Sequence, residues 1–148
     1  MILIGITVVI YLFSPRPIIK DDSNISEILF FYNPYFNQKA AEQMNQSVPA
    51  DRIIVADYVE REILDCLRHY KEYMILSWTS GYWLGDVELE LWIFTKDGRE
   101  DKFILLGNAN YIYKARPNWS PNYKIQDADK LRVELLDIIE KQGTGLSD

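Results

Sequence analysis

Residues 87–107 read VELELWIFTKDGREDKFILLG. Val87, Leu89, Leu91 and Ile93 alternate with Glu88, Glu90, Trp92 and Phe94, and a period of two is that of a strand with two unlike faces. Lys96, Asp97 and Gly98 supply turn chemistry, and KFILLG runs back as a second strand. The stretch therefore predicts an antiparallel pair with one face buried and the other in contact with water. The remaining segments have to be fitted to that sheet.

Upstream, YMILSW from Tyr73 to Trp78 reads as another strand, joined to Val87 through the loop TSGYWLG. Before it lies DYVEREILDCLRHYKE. Val59, Ile63, Cys66, Leu67 and Tyr70 fall at i, i+4, i+7, i+8 and i+11, which is one face of a helix. Asp57 and Glu60 have the spacing of a capping box at its start, and acidic residues suit the positive end of the helix dipole. Short strands are predicted over 52–55 and 28–32, the latter ended by Asn33-Pro34, with a polar surface helix in NQKAAEQMNQSVP between them. Downstream, a strand is predicted over 109–113. The loop ARPNWSPNY then leads to a helix capped by Asp127, with Ala128, Leu131, Leu135 and Ile138 at helical spacing. Gly143 and Gly145 mark its end. Two one-faced helices and a run of antiparallel strands predict an α+β domain. Its expected form is a twisted antiparallel sheet of about four to six strands, with two main helices packed on one face.

The chain opens MILIGITVVIYLF, apolar except for Gly5, Thr7 and Tyr11. Thirteen helical residues rise about 20 Å, short of the roughly 30 Å hydrocarbon core of a bilayer. A signal peptide would need a basic start and a small-residue cleavage site, and neither is present. Two readings remain. The segment is a truncated membrane anchor, or Ile2, Ile4, Ile6, Val8, Val9 and Ile10 form a β-branched central strand. The proline-bearing, abruptly polar SPRPIIKDD that follows has the character of a juxtamembrane linker and favours the anchor. The expected organisation is an anchor over 1–13, a linker over 14–24, a single α+β domain over 25–142 and a flexible tail over 143–148.

The composition is that of a folding chain: 148 residues, 48% hydrophobic and 14% aromatic, with 10 Tyr and 4 Trp. The formal net charge of -6 sets it against phosphate backbones, so no nucleic-acid partner is expected. One cysteine, Cys66, and one histidine, His69, cannot supply the ligand sets of zinc sites. No metalloprotease, hydrolase-elbow, P-loop or dinucleotide motif occurs, so no catalytic residue, cofactor or metal is assigned. Cys66 and His69 lie three apart on one helix, yet Cys66 falls inside the apolar stripe, where a thiol packs as a small hydrophobe. Glu88 and Glu90 would lie on one strand face about 7 Å apart, a spacing that carboxylate pairs of glycosidases use. With Trp78, Trp83 and Trp92 nearby, these five residues form the candidate binding surface. Two glutamates alternating with apolar residues are also what any half-exposed strand carries.

The segments ILIGITVVIYLF, KDDSNISEILFFY and RIIVADYVEREIL, with the paired strands around FTKDG, resemble small uncharacterised proteins of Gram-positive bacteria. Those proteins carry an N-terminal membrane anchor and one extracytoplasmic α+β domain. The resemblance implies a non-catalytic extracytoplasmic binding or accessory domain, tethered to the cell membrane through its N-terminus and facing a protein or cell-envelope partner. It brings no catalytic residues. The alternative is a cytosolic acidic interaction protein of the immunity or antitoxin type, located in the cytoplasm, and a carboxylate-based hydrolase ranks third.

Overall fold

A computed structural model of the chain describes residues 10, 13–32, 51–53, 57–75, 87–108, 110–114 and 122–141. Among the described residues there are eight strands: β1 (Arg16–Pro17), β2 (Ile25–Tyr32), β3 (Asp51–Ile53), β4 (Lys71–Ile75), β5 (Val87–Thr95), β6 (Lys102–Gly107), β7 (Tyr111–Lys114) and β8 (Asn122–Ile125). Among the described residues, two helices with bounded ranges accompany them, α1 (Asp57–His69) and α2 (Ala128–Glu140). The strands form one sheet in the order β1-β4-β8-β7-β6-β5-β2-β3, and every neighbouring pair is antiparallel. The protein is thus an α+β domain of the expected class, with eight strands in place of four to six.

Alternation in β5 sets the core. Val87, Leu89, Leu91 and Ile93 are buried, while Glu88, Glu90, Trp92 and Phe94 are only partly covered. Register carries this parity across the sheet: Phe30, Leu91, Ile104, Ile112, Tyr123 and Met74 are successive cross-strand partners from β2 to β4. Onto that row pack Val59, Ile63, Leu64 and Leu67 of α1 and Ala128, Leu131, Leu135 and Ile139 of α2, so both helices cover the same face. Cys66 and Ile138, predicted in these stripes, lie at their margins and are partly buried. Asp127 is the N-cap of α2, but its side chain makes no capping bond and its backbone is left-handed, at φ 56 and ψ 40. In α1, Asp57 stands in the first turn, and Glu60 faces the backbone N–H of Ile28 in β2.

Residues 16–24 are not a linker. β1 pairs with β4, Arg16 opposite Glu72 and Pro17 opposite Lys71. Ile18 is fully buried and Ile19 is 5% exposed, both inside the main core. The N–H of Ile18 donates to the carbonyl of Tyr70 at 3.0 Å, and its carbonyl accepts from Nζ of Lys102. Farther on, Asn24 is held to the β5–β6 turn: its carbonyl accepts from the N–H of Lys96 at 2.9 Å, and its amide donates to Asp97 at 3.2 Å. The domain therefore starts by Arg16, because the chain needs those isoleucines to close the end of the sheet between β4 and β6.

Of residues 1–13, Ile10 and Phe13 are described, and both are helical. Among the described residues no helix is long and apolar enough to cross a membrane. The predicted surface helix in 37–49 and the tail after Gly143 lie outside the described residues.

Candidate binding surface

The face of the sheet opposite the helices carries the aromatic half of the β5 pattern. Trp92 is the cross-strand neighbour of Leu29 in β2 and of Phe103 in β6. Its ring lies 4.8 Å from Phe31 and 5.4 Å from Phe103 between centroids, and Phe94 lies 6.4 Å from Trp92 and 6.2 Å from Phe103. Most of these contacts are edge-to-face, the geometry ring quadrupoles favour, and each such pair contributes on the order of 0.5–1.5 kcal/mol beyond its area. The four rings are half-buried, so the cluster is a packed apolar surface and not an open platform with a free ring face.

Sequence spacing placed Glu88 and Glu90 together. The structure separates their roles. A register irregularity between Val87 and Leu89 falls at Glu88, whose carboxylate is ion-paired with Arg132 on α2. Glu90 accepts the indole N–H of Trp92 at 3.0 Å. Each carboxylate thus has its own partner. Trp78 and Trp83 lie outside the described residues. Glu90 and Trp92 are the members of the candidate set that the structure brings into one surface.

A second polar group, not singled out in the sequence, lies inside the domain. Glu72 of β4 is 1% exposed and points to the helix-covered face. Its carboxylate is 2.5 Å from Nζ of Lys114 in β7 and 3.4 Å from Nζ of Lys102 in β6. Lys114 also stands 3.9 Å over the ring of Tyr123, a cation–π contact. In a flat sheet β4 and β6 would be three inter-strand steps apart, about 14 Å. That one carboxylate meets lysines from both β6 and β7 requires the sheet to curl around this end. Burial pulls the pKa of Lys102 below its ordinary value, and the charge of Glu72 opposes that shift. Among the described residues, no group of three or more His, Cys, Asp and Glu side chains is placed to hold a metal ion.

Cys66 and His69 do not face one another. The Cys66 thiol donates to Glu134 of α2 at 3.5 Å, and Nδ1 of His69 contacts the carbonyl of Asp65 at 2.7 Å. Burial first, then the hydrogen bond and charge of Glu134, push the thiol pKa up to about 12. A thiolate is the reactive form. Alkylation of the native protein by iodoacetamide is therefore expected to stay slow through pH 9 and to accelerate only toward pH 12, whereas the unfolded chain reacts with an inflection near the ordinary cysteine value of about 8.5. A native pH–rate profile with its midpoint below about 9 would contradict the buried, carboxylate-facing thiol.

Comparison of the chain with protein-family models, with curated proteins and with solved structures finds no match. Function has to be argued from the residues themselves.

Proposed function

We propose that the protein is a non-catalytic binding domain, tethered to the cell membrane through its N-terminus, which takes a protein partner on the extracytoplasmic side. The observation that carries this reading is the cluster of Phe31, Trp92, Phe94 and Phe103 on the sheet face opposite the helices. Aromatic side chains contribute most of the energy at protein interfaces, and half-covered rings packed edge to face suit an apolar protein stripe better than a sugar. Glu27 and Glu90 stand beside the rings, and with a net charge of -6 the partner surface would carry a basic rim. The apolar run of the first thirteen residues and the 62% exposure of Ile10 within it support the tether, because an exposed apolar side chain is suited to lipid.

The test is made in membranes of the native host. A photo-crosslinking amino acid at Phe94 is expected to give a discrete protein adduct, and one at Val133, on the exposed side of α2, is expected to give none. Trp92→Ser should abolish the adduct while the melt stays cooperative. Equal adducts from both positions, or none from position 94, would overturn the surface assignment. Recovery of the full chain in the soluble fraction of lysed cells would overturn the tether.

A further inference from the structure

We infer that the partner of the aromatic face anchors on it with an arginine, whose guanidinium meets Glu90 among the rings; this rests on the reading of that face as the docking surface. Register puts Glu90 between Phe31 of β2 and Leu105 of β6, two residues from Trp92 along β5. The side chain is half-buried, and beside it Leu105 is only 1% exposed. A carboxylate in such surroundings loses part of its hydration, which is costly unless a counter-charge replaces the water. Its partner in this structure is the neutral indole N–H of Trp92, which donates to Oε2 at 3.0 Å.

The cations of the sheet are committed elsewhere. Arg132 pairs with Glu88, and Lys102 and Lys114 pair with Glu72. Lys124 shares the row of Glu90 across Leu105 and Tyr111, but three inter-strand steps, about 14 Å, separate the two. Among the described residues no Lys or Arg forms an ion pair with Glu90. The indole N–H takes one of the roughly four acceptor positions of a carboxylate, so a forked donor still fits. Arginine meets that demand better than lysine. Its guanidinium is planar and weakly hydrated, gives two parallel N–H bonds to one carboxylate and lies well against aromatic side chains. Its methylene stem covers apolar surface on the way in. The lysine ammonium is compact and strongly hydrated, so it gives up more water in the same place. Trp92 reports on the occupant, because the ring that packs against Phe31 and Phe103 is hydrogen-bonded to the same carboxylate.

Titration of the full chain with N-acetyl-arginine amide tests the assignment, read from the indole Nε1–H resonance that disappears in Trp92→Phe. A saturable shift with a dissociation constant on the order of 1–10 mM is expected. The lysine amide should bind at least about threefold more weakly, and the citrulline amide, which keeps the shape without the charge, should give no saturable shift. Glu90→Gln keeps an acceptor for the indole and removes the charge, so the free resonance should stay near its parent position while the arginine shift is lost. In host membranes the same variant should lower the yield of the adduct from position 94 about tenfold. A flat titration up to about 100 mM, an equal shift from the citrulline amide, or unchanged arginine binding in Glu90→Gln would overturn the arginine anchor. The adduct keeps the two readings apart. An adduct that forms in the parent and is undiminished in Glu90→Gln leaves the docking surface standing and removes the arginine, whereas no adduct in the parent removes the surface itself.

Discussion

A chain shortened to begin at Ser23 is expected to be unfolded, and one beginning at Ser14 to melt cooperatively. The difference is nine residues, 14–22, which the sequence alone presents as a linker. They contain β1, Ile18 and Ile19. Burying an isoleucine contributes about 1.5–3 kcal/mol, so the two side chains contribute roughly 3–6 kcal/mol, and both sit in the main core. Their loss also removes the pairing of β1 with β4, the bond from Ile18 to Tyr70 and the carbonyl that Lys102 uses. Lys102 would remain, largely buried, with one fewer acceptor. Against a typical stability of about 5–15 kcal/mol, that sum leaves little or nothing. Removing residues 1–13 touches none of these contacts. Circular dichroism with thermal melting of the two shortened chains decides the matter. A cooperative melt from the chain beginning at Ser23 would mean that Ile18 and Ile19 are not part of the core. An unfolded chain beginning at Ser14 would restore the reading of residues 2–10 as a central strand.

What was legible in the sequence, and what was not, follows from the range of the interactions involved. β5 could be read because each of its inward residues meets the core, so burial writes a period of two directly into VELELWIF. The stripe of α1 could be read for the same reason at period 3.6, although it includes Leu64 and leaves Cys66 at its edge. β1 could not, since two residues carry no period. Its proline, Pro17, is tolerated because β1 is an edge strand, where a missing N–H can face away from the ladder. β8 was hidden in a proline-rich segment by the same brevity. At the candidate surface, alternation put Glu88 beside Glu90. A register irregularity is a property of the pair of strands, so neither it nor the Glu88–Arg132 ion pair beside it is visible in one strand's sequence. Glu72 was missed because its partners lie 30 and 42 residues away. The one local signal was its parity with Met74, which places an acid on the inward face of a strand. A buried acid demands a cation, and that demand was open to inference before any partner was known.

Glu72→Ala is expected to cost about 3–5 kcal/mol, the loss found when one side of a buried ion pair is removed. The reason lies in what remains. Lys102 and Lys114 reach inward from β6 and β7, with side chains 13% and 23% exposed, and Glu72 is the acid both meet. Without it Lys102 keeps the carbonyl of Ile18 but loses its counter-charge in a site that already disfavours its ammonium form. The sign of the Lys102 shift makes a further point. A lysine whose folded pKa lies below its unfolded value binds fewer protons when folded, so its burial opposes folding while it is charged. That opposition is relieved as pH rises from the folded pKa towards 10.5. The Glu72→Ala variant, lacking the charge that resists the shift, should therefore recover stability more steeply than the parent as the pH is raised towards 10.5. Lys102→Met should cost less than Glu72→Ala, because the methionine keeps the packing and leaves Glu72 paired with Lys114. Replacing Glu72, Lys102 and Lys114 together by apolar residues of similar size should come close to the parent again, because a whole buried ionic group can give way to packing. Urea titrations of the parent and these three variants at pH 7, with the pH series on Glu72→Ala, make the comparison. A loss below about 1 kcal/mol for Glu72→Ala would mean the lysines reach solvent without it, and the curl of the sheet around this carboxylate would have to be given up.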